Sequence, residues 1–202
     1  PLSAFTDQGL DMSDIHQIKL EDPDGNSGTI YVDNIYFYSV PVPMMAAATP
    51  TQKAEDVISI YSQAYTNPAA ANYFPGWGQA TQYSDFVIGE DTMIQYSNLN
   101  FQGIAFEETI DASSMDTLHL DVWSTSVSNL LIFPISVGSG EKSVTKALDV
   151  NTWNSIDIPL TDFTSQDLTV NDLIQLKFED PDGNSGTIYL DNIYFYKKGT
   201  NS

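Results

Sequence analysis

Leu118-His-Leu-Asp-Val-Trp123 alternates apolar and polar side chains with a period of two. A strand sends successive side chains to opposite faces, so Leu118, Leu120 and Val122 point one way and His119, Asp121 and Trp123 the other. Ile174-Gln-Leu-Lys-Phe178 reads alike, with Ile174, Leu176 and Phe178 toward a core and Gln175 and Lys177 outward. Around these two segments the chain breaks into further short runs rich in β-branched and aromatic residues, separated by turn signals. They are Val57–Tyr61, Phe86–Ile88, Met93–Tyr96, Phe101–Phe106, Leu130–Ile135, Ser143–Leu148, Trp153–Ile158 and Thr187–Tyr196. This spacing predicts an all-β fold, an antiparallel β-sandwich of the jelly-roll kind. No stretch sustains a helical period.

The chain also repeats itself. Glu21-Asp-Pro-Asp-Gly-Asn-Ser-Gly-Thr-Ile-Tyr31 recurs letter for letter as Glu179–Tyr189. Pro1–Ser39 runs alongside Pro159–Lys197 without a gap, and about two-thirds of the positions are identical. Residues 1–39 are therefore expected to be the C-terminal fragment of a preceding module, residues 40–53 a Pro/Ala/Thr spacer that is semi-stiff and exposed, and residues 54–198 a complete module. The fragment's strands, Ile15–Leu20 and Thr29–Tyr38, cannot form a stable sandwich alone. They are expected to pair with a sheet edge of the complete module or, by strand exchange, with a neighbouring chain. Tandem modules of this size gain reach or avidity toward a repeating ligand.

Composition narrows the ligand. Twenty-seven acidic residues against seven basic ones give a net charge of −20, and every cation is a lysine. A strongly negative surface lacking the bidentate guanidinium clamp is a poor receptor for nucleic acid or for uronate and sulfated polysaccharides. Neutral ligands are favoured. Without cysteine there is neither a disulfide nor a thiolate site, and no window approaches the length of an apolar membrane span.

Sugars are bound by stacking an aromatic ring on the apolar face of a pyranose while amides, carboxylates and ammonium groups bond its hydroxyls. Trp77, in the glycine-bracketed loop Gly76-Trp-Gly-Gln79, and outward-facing Trp123 are the candidate platforms. The competing reading of Trp77 is a plug over the core, and that of Trp123 depends on the absence of a bulge. Gln79, Asp121, Gln175 and Lys177 are candidate hydroxyl partners, with His119 and Tyr96 behind them. A lone His119 reads more simply as a hydrogen-bonding residue than as a base or ligand, and Trp153 as packing where its strand begins. Asp180-Pro-Asp-Gly183 could start a calcium loop but reads better as a turn. Asp191, entering an apolar terminal strand, is either an outward carboxylate or the ligand of a hard cation.

Several segments taken together resemble a family of carbohydrate-binding modules of marine Bacteroidetes, attached to family 16 laminarinases or to surface glycan-binding proteins. They are Glu55–Asn67, Gly76–Gln79, Tyr96-Ser-Asn-Leu-Asn-Phe-Gln-Gly103, Leu118–Trp123, Asn151-Thr-Trp153 with Ile158-Pro-Leu160, and Tyr189-Leu-Asp-Asn-Ile-Tyr-Phe195. The resemblance implies non-catalytic binding of a neutral β-glucan, laminarin, by a protein that is extracellular or exposed on the outer membrane. It also implies a structural calcium held by Asp191. Where that family has Tyr-Ser-Asp-Ala, this chain has Tyr61-Ser-Gln-Ala64. The competing readings are a jelly-roll glycosidase or lyase, which would need opposed carboxylates or a cationic cluster, and a structural or adhesion repeat.

Overall fold

The computed structural model describes residues 2–25, 28–37, 39, 41–68, 70–183 and 185–199. The chain divides into two compact units, Pro1–Tyr38 and Ser39–Ser202.

The larger unit is the expected antiparallel sandwich. Its strands are β1 (Val57–Tyr61), β2 (Ala71–Asn72), β3 (Gln82–Ile88), β4 (Asp91–Ser97), β5 (Phe101–Ile110) and β6 (Thr117–Ser124). They continue with β7 (Asn129–Ser136), β8 (Gly140–Glu141), β9 (Val144–Ala147), β10 (Trp153–Pro159), β11 (Leu173–Glu179) and β12 (Ile188–Tyr196). The first sheet has the order β10-β6-β12-β4-β3, with β1 also paired to β12. The second has the order β2-β5-β11-β7-β8, with β9 also paired to β7. β11 and β12, adjacent in sequence, thus lie at the centres of opposite sheets.

Between the sheets, Leu118, Leu120, Val122, Leu190 and Phe195 of the first meet Ile104, Leu130, Ile132, Leu176 and Phe178 of the second. Burying each such side chain contributes roughly 1.5–3 kcal/mol. The alternation read in β6 holds throughout. In β11 it slips, because the register shifts between Leu173 and Gln175. Leu173, not Ile174, enters the core, and Ile174 is the bulged, half-buried residue. Gln175 and Lys177 remain on the outer face. The turn reading of Asp180–Gly183 is also realised: the Asp182 amide donates to Asp180 Oδ1 (3.0 Å), and Gly183 has φ +66°, a conformation glycine adopts without strain.

Residues 41–53 are not the exposed spacer that their composition suggests. Pro43 and Ala47 are buried, Trp153 Nε1 donates to the Met45 carbonyl (2.9 Å), and Asn192 Nδ2 donates to the Ala48 carbonyl (3.1 Å). The segment is a strap fastened to β10 and β12 on the outer side of the first sheet.

In the smaller unit, a one-turn helix, α1 (Ser3–Thr6), repeats the position of α2 (Thr161–Thr164) in the larger one. Among its described residues there is no strand. Over residues 15–20 and 29–37, where strands were expected, none is formed, and the expected pairing with a sheet edge is not seen among the described residues. Tyr38 itself lies outside the described residues.

Candidate functional site

The predicted residues divide between the two outer faces. Trp77, Gln175 and Lys177 come together on the second sheet, where with Phe101, Ile135, Glu141 and Glu179 they line a groove of about 330 Å³. The floor is made by neighbours in register: Gln175 faces Ala105 and Ile135, Lys177 faces Gly103 and Phe133, and Glu179 faces Phe101 and Leu131. Gly103 is required here. A Cβ at that position would meet the Leu176 carbonyl oxygen and carbon, so only glycine lets β5 and β11 close up.

Trp77 reaches the groove from a loop between β2 and β3. Gln79 folds that loop: its Oε1 accepts the Trp77 amide (2.7 Å) and its Nε2 donates to the Pro75 carbonyl (3.0 Å). Gly78 between them has φ +77°. Buried Gln102 donates to the same Pro75 carbonyl (3.2 Å). At the loop's far end Asn100 Oδ1 accepts the amides of Ala80 (2.9 Å) and Thr81 (3.2 Å). Gln79 is therefore a positioning residue and not the hydroxyl partner expected, since both ends of its amide serve the loop. Trp77 is half-buried with its ring lining the groove, not plugging the core. Lys177 is fixed by Glu141 (2.8 Å) and Glu179 (3.6 Å) and lies 3.9 Å from the centre of the Phe133 ring.

The second group, His119, Asp121 and Trp123, lies on the outer face of the first sheet, where all three side chains are largely buried. Trp123 is only 5% exposed, edge-on to Tyr189 with ring centres 5.5 Å apart. Tyr189 beside it is buried as well. Parity was read correctly in β6, but outward does not mean exposed, because the strap crosses this face. Asp121 is committed on both oxygens, Oδ1 to His119 Nε2 (3.5 Å) and Oδ2 to Asn192 Nδ2 (2.9 Å). His119 stacks on Tyr194 at 4.6 Å and its Nδ1 meets Asp157 Oδ1 at 2.8 Å. Burial pulls the imidazole's pKa down, but the hydrogen bonds and charges of Asp121 and Asp157 outweigh it and hold the value above the ordinary one. Neither residue is placed to bond a sugar on an open face. Trp153, the register partner of Trp123, is half-buried on this outer face and anchors the strap, so it is not core packing.

Tyr96 is a core residue. It is fully buried, and its hydroxyl donates to the carbonyls of Tyr73 and Gly103. Asp191 is buried, its Oδ1 accepting the amide of Asn192, which has φ +49° at a bulge in β12. Burial, then Asp91, push its carboxyl up to about 7, and Asp121 adds to the rise while the Asn192 amide opposes it. Asp91 Oδ1 is buried without a hydrogen-bond partner. Among the described residues no group of three or more His, Cys, Asp or Glu side chains is arranged around a common point.

Phe101, Phe133, Ile135, Glu141 and Glu179 were not singled out from the sequence. Glu179 shares the parity of Gln175 and Lys177 and was legible there. Phe133 and Ile135 were not, because Leu130–Ile135 is apolar at every position and a period of two gives it no facing.

The chain matches carbohydrate binding domain 30 over residues 136–197, which contain β11 and β12. No curated protein matches it. Among solved structures it is similar to the family 30 carbohydrate-binding module of a cellulosomal cellulase from Clostridium thermocellum: 12% identity, TM-score 0.55, over 71% of this chain and 99% of that one. A second family 30 carbohydrate-binding module gives 13% identity and TM-score 0.52, over 72% and 90%. An exo-β-agarase gives 10% and 0.53, over 70% of this chain and 25% of that one. At these identities the likeness is one of fold.

Proposed function

We propose that the larger unit binds a neutral polysaccharide in the groove of the second sheet without cleaving it, and that the ligand is a β-1,3-glucan of the laminarin type. The observation that carries this reading is the convergence of a loop-borne indole with the amide of Gln175 and the ammonium of Lys177 over a floor of Phe101 and Ile135. An aromatic wall and a few convergent donors and acceptors are what a pyranose ring with its equatorial hydroxyls requires. The match to carbohydrate binding domain 30 covers the two central strands and supports the same reading. Binding without cleavage is supported by the groove's own carboxylates. Glu141 and Glu179 share one ammonium, whereas a glycosidase opposes two carboxylates across the scissile bond. On this reading the protein works outside the cell, where such polymers are met. As implied by the resemblance, Asp191 would be the protein's oxygen donor to a structural calcium ion.

The test is affinity electrophoresis of the full chain in gels containing laminarin, β-1,4-glucan, β-1,6-glucan or mixed-linkage glucan, with release of reducing ends followed in parallel. Retardation by laminarin without new reducing ends is expected. Retardation only by another glucan overturns the linkage, and sustained release of reducing ends overturns the non-catalytic reading.

A further inference from the structure

A second aromatic surface lies outside the groove, at the side of the sandwich where β2 and β3 are the outermost strands of the two sheets. After β2 the chain runs on beside β5, since the Tyr96 hydroxyl donates to the carbonyls of both Tyr73 and Gly103, and Gln102 donates to that of Pro75 (3.2 Å). Tyr73 is half-buried, edge-on to Tyr61 at 5.2 Å. Phe74 stays outside. Its amide donates to Asn72 Oδ1 (2.9 Å), and its ring stacks on that of Tyr83 in β3, with centres 5.7 Å apart and planes at 23°. Tyr83 is backed in turn by Tyr96 at 6.2 Å, and its hydroxyl donates to Asp85 Oδ1. Phe74 and Tyr83 are 40% and 36% exposed, the two most exposed aromatic side chains of the larger unit among its described residues. A fixed pair of rings left in water marks a contact surface.

We propose that Phe74 and Tyr83 form a second glycan-contact site, an aromatic ledge that takes the sugar rings of the same neutral polymer where it runs past Trp77. The ledge rests on the groove being the glycan site. Continuity supports it: Phe74 and Trp77 are three residues apart in one loop, so their Cα atoms lie within about 11 Å. The groove crosses its sheet from Glu141 of β8 to Phe101 of β5 and Trp77, and Phe74 lies on the side toward which it leads. The chemistry is again that of a sugar, with a ring face for the apolar side of a pyranose and the exposed carboxylate of Asp85 to accept a hydroxyl. No basic residue lies between Lys53 and Lys142, so the local charge is negative and turns away sulfated or uronate chains. A chain must also bend to follow the surface from one sheet to the edge of the other. A β-1,3-glucan coils and can do so; a β-1,4-glucan is a flat ribbon and leaves the edge straight.

The test compares a short ligand with a long one on the full chain. From β5 to β8 the groove spans three strand spacings, about 14 Å, which laminaritriose fills without reaching the ledge. In titration calorimetry Phe74→Ala should bind laminaritriose as wild type does and laminarin about fivefold more weakly, the loss of one stacking contact on an exposed ring. Phe74→Leu, which keeps an apolar cover over Tyr83, should show the same loss, and Phe74→Trp should restore laminarin affinity. Equal weakening toward both ligands means that Phe74 acts by holding the Trp77 loop, and overturns the ledge. Unchanged affinity for laminarin beside a wild type that binds it also overturns the ledge and leaves the groove standing. If sedimentation instead finds that wild type self-associates and Phe74→Ala does not, with laminarin affinity unaltered, the surface is a protein contact and the ledge is refuted. A wild type that binds neither ligand overturns the glycan reading itself, and the ledge with it.

Discussion

Truncating the two tryptophans singled out from the sequence should have opposite consequences. Trp123 is 5% exposed and packed edge-on against Tyr189, so Trp123→Ala leaves a cavity costing about 3–5 kcal/mol. For a unit of this size each kcal/mol shifts the melting temperature by roughly 2–4 °C. A fall on the order of 10 °C is expected, with affinity for laminarin kept in the protein that remains folded. Trp77 is half-buried on a loop that the core does not need. Trp77→Ala should leave the melting temperature nearly unchanged and remove a stacking contact of roughly 1–3 kcal/mol, a loss of about tenfold or more in affinity. Scanning calorimetry and titration calorimetry on the same preparations read both quantities. If Trp123→Ala weakens binding without lowering the melting temperature, or Trp77→Ala binds like wild type, the groove has been placed on the wrong sheet.

Gln79→Ala removes both hydrogen bonds that clasp the Trp77 loop. Affinity should drop by about tenfold with a less favourable binding entropy, although Gln79 touches no sugar; titration calorimetry that finds affinity and entropy unaltered would refute the positioning role. His119 has a pKa raised in the folded state, so its contribution is complete below the unfolded value of about 6.5 and is lost as pH rises through the folded value. Between pH 5 and about 8 the melting temperature of wild type should fall relative to that of His119→Gln; parallel curves would refute the ion-pair account. If Asp191 holds a calcium ion, saturating calcium at about a hundred times its Kd adds roughly 2.7 kcal/mol. Melting in calcium against chelator should then differ by several degrees, and Asp191→Asn should abolish the difference.

The strand pattern was legible because each half-buried strand carries its own period. All ten segments read in residues 54–198 are strands, the two expected in residues 1–39 are not, and two-residue β2 and β8 and the short turns Ser3–Thr6, Ala54–Asp56 and Thr161–Thr164 were not anticipated. The two Asp-Pro-Asp-Gly turns, the positive φ of Asn34 and Asn192, and the α1 and α2 turns are made from neighbours in sequence. They therefore take the same form in both copies, whether or not a sheet surrounds them. Ladders and burial need partners from elsewhere in the chain. That is why Leu20 is exposed where Phe178 is buried in a near-identical stretch. For the same reason parity put Trp123 on the correct face but could not foresee that it would be buried there. Which outward residues meet in one groove was likewise decided by tertiary structure, since Trp77, Glu141 and Lys177 lie far apart in sequence and only the sheet order β5-β11-β7-β8 draws them together.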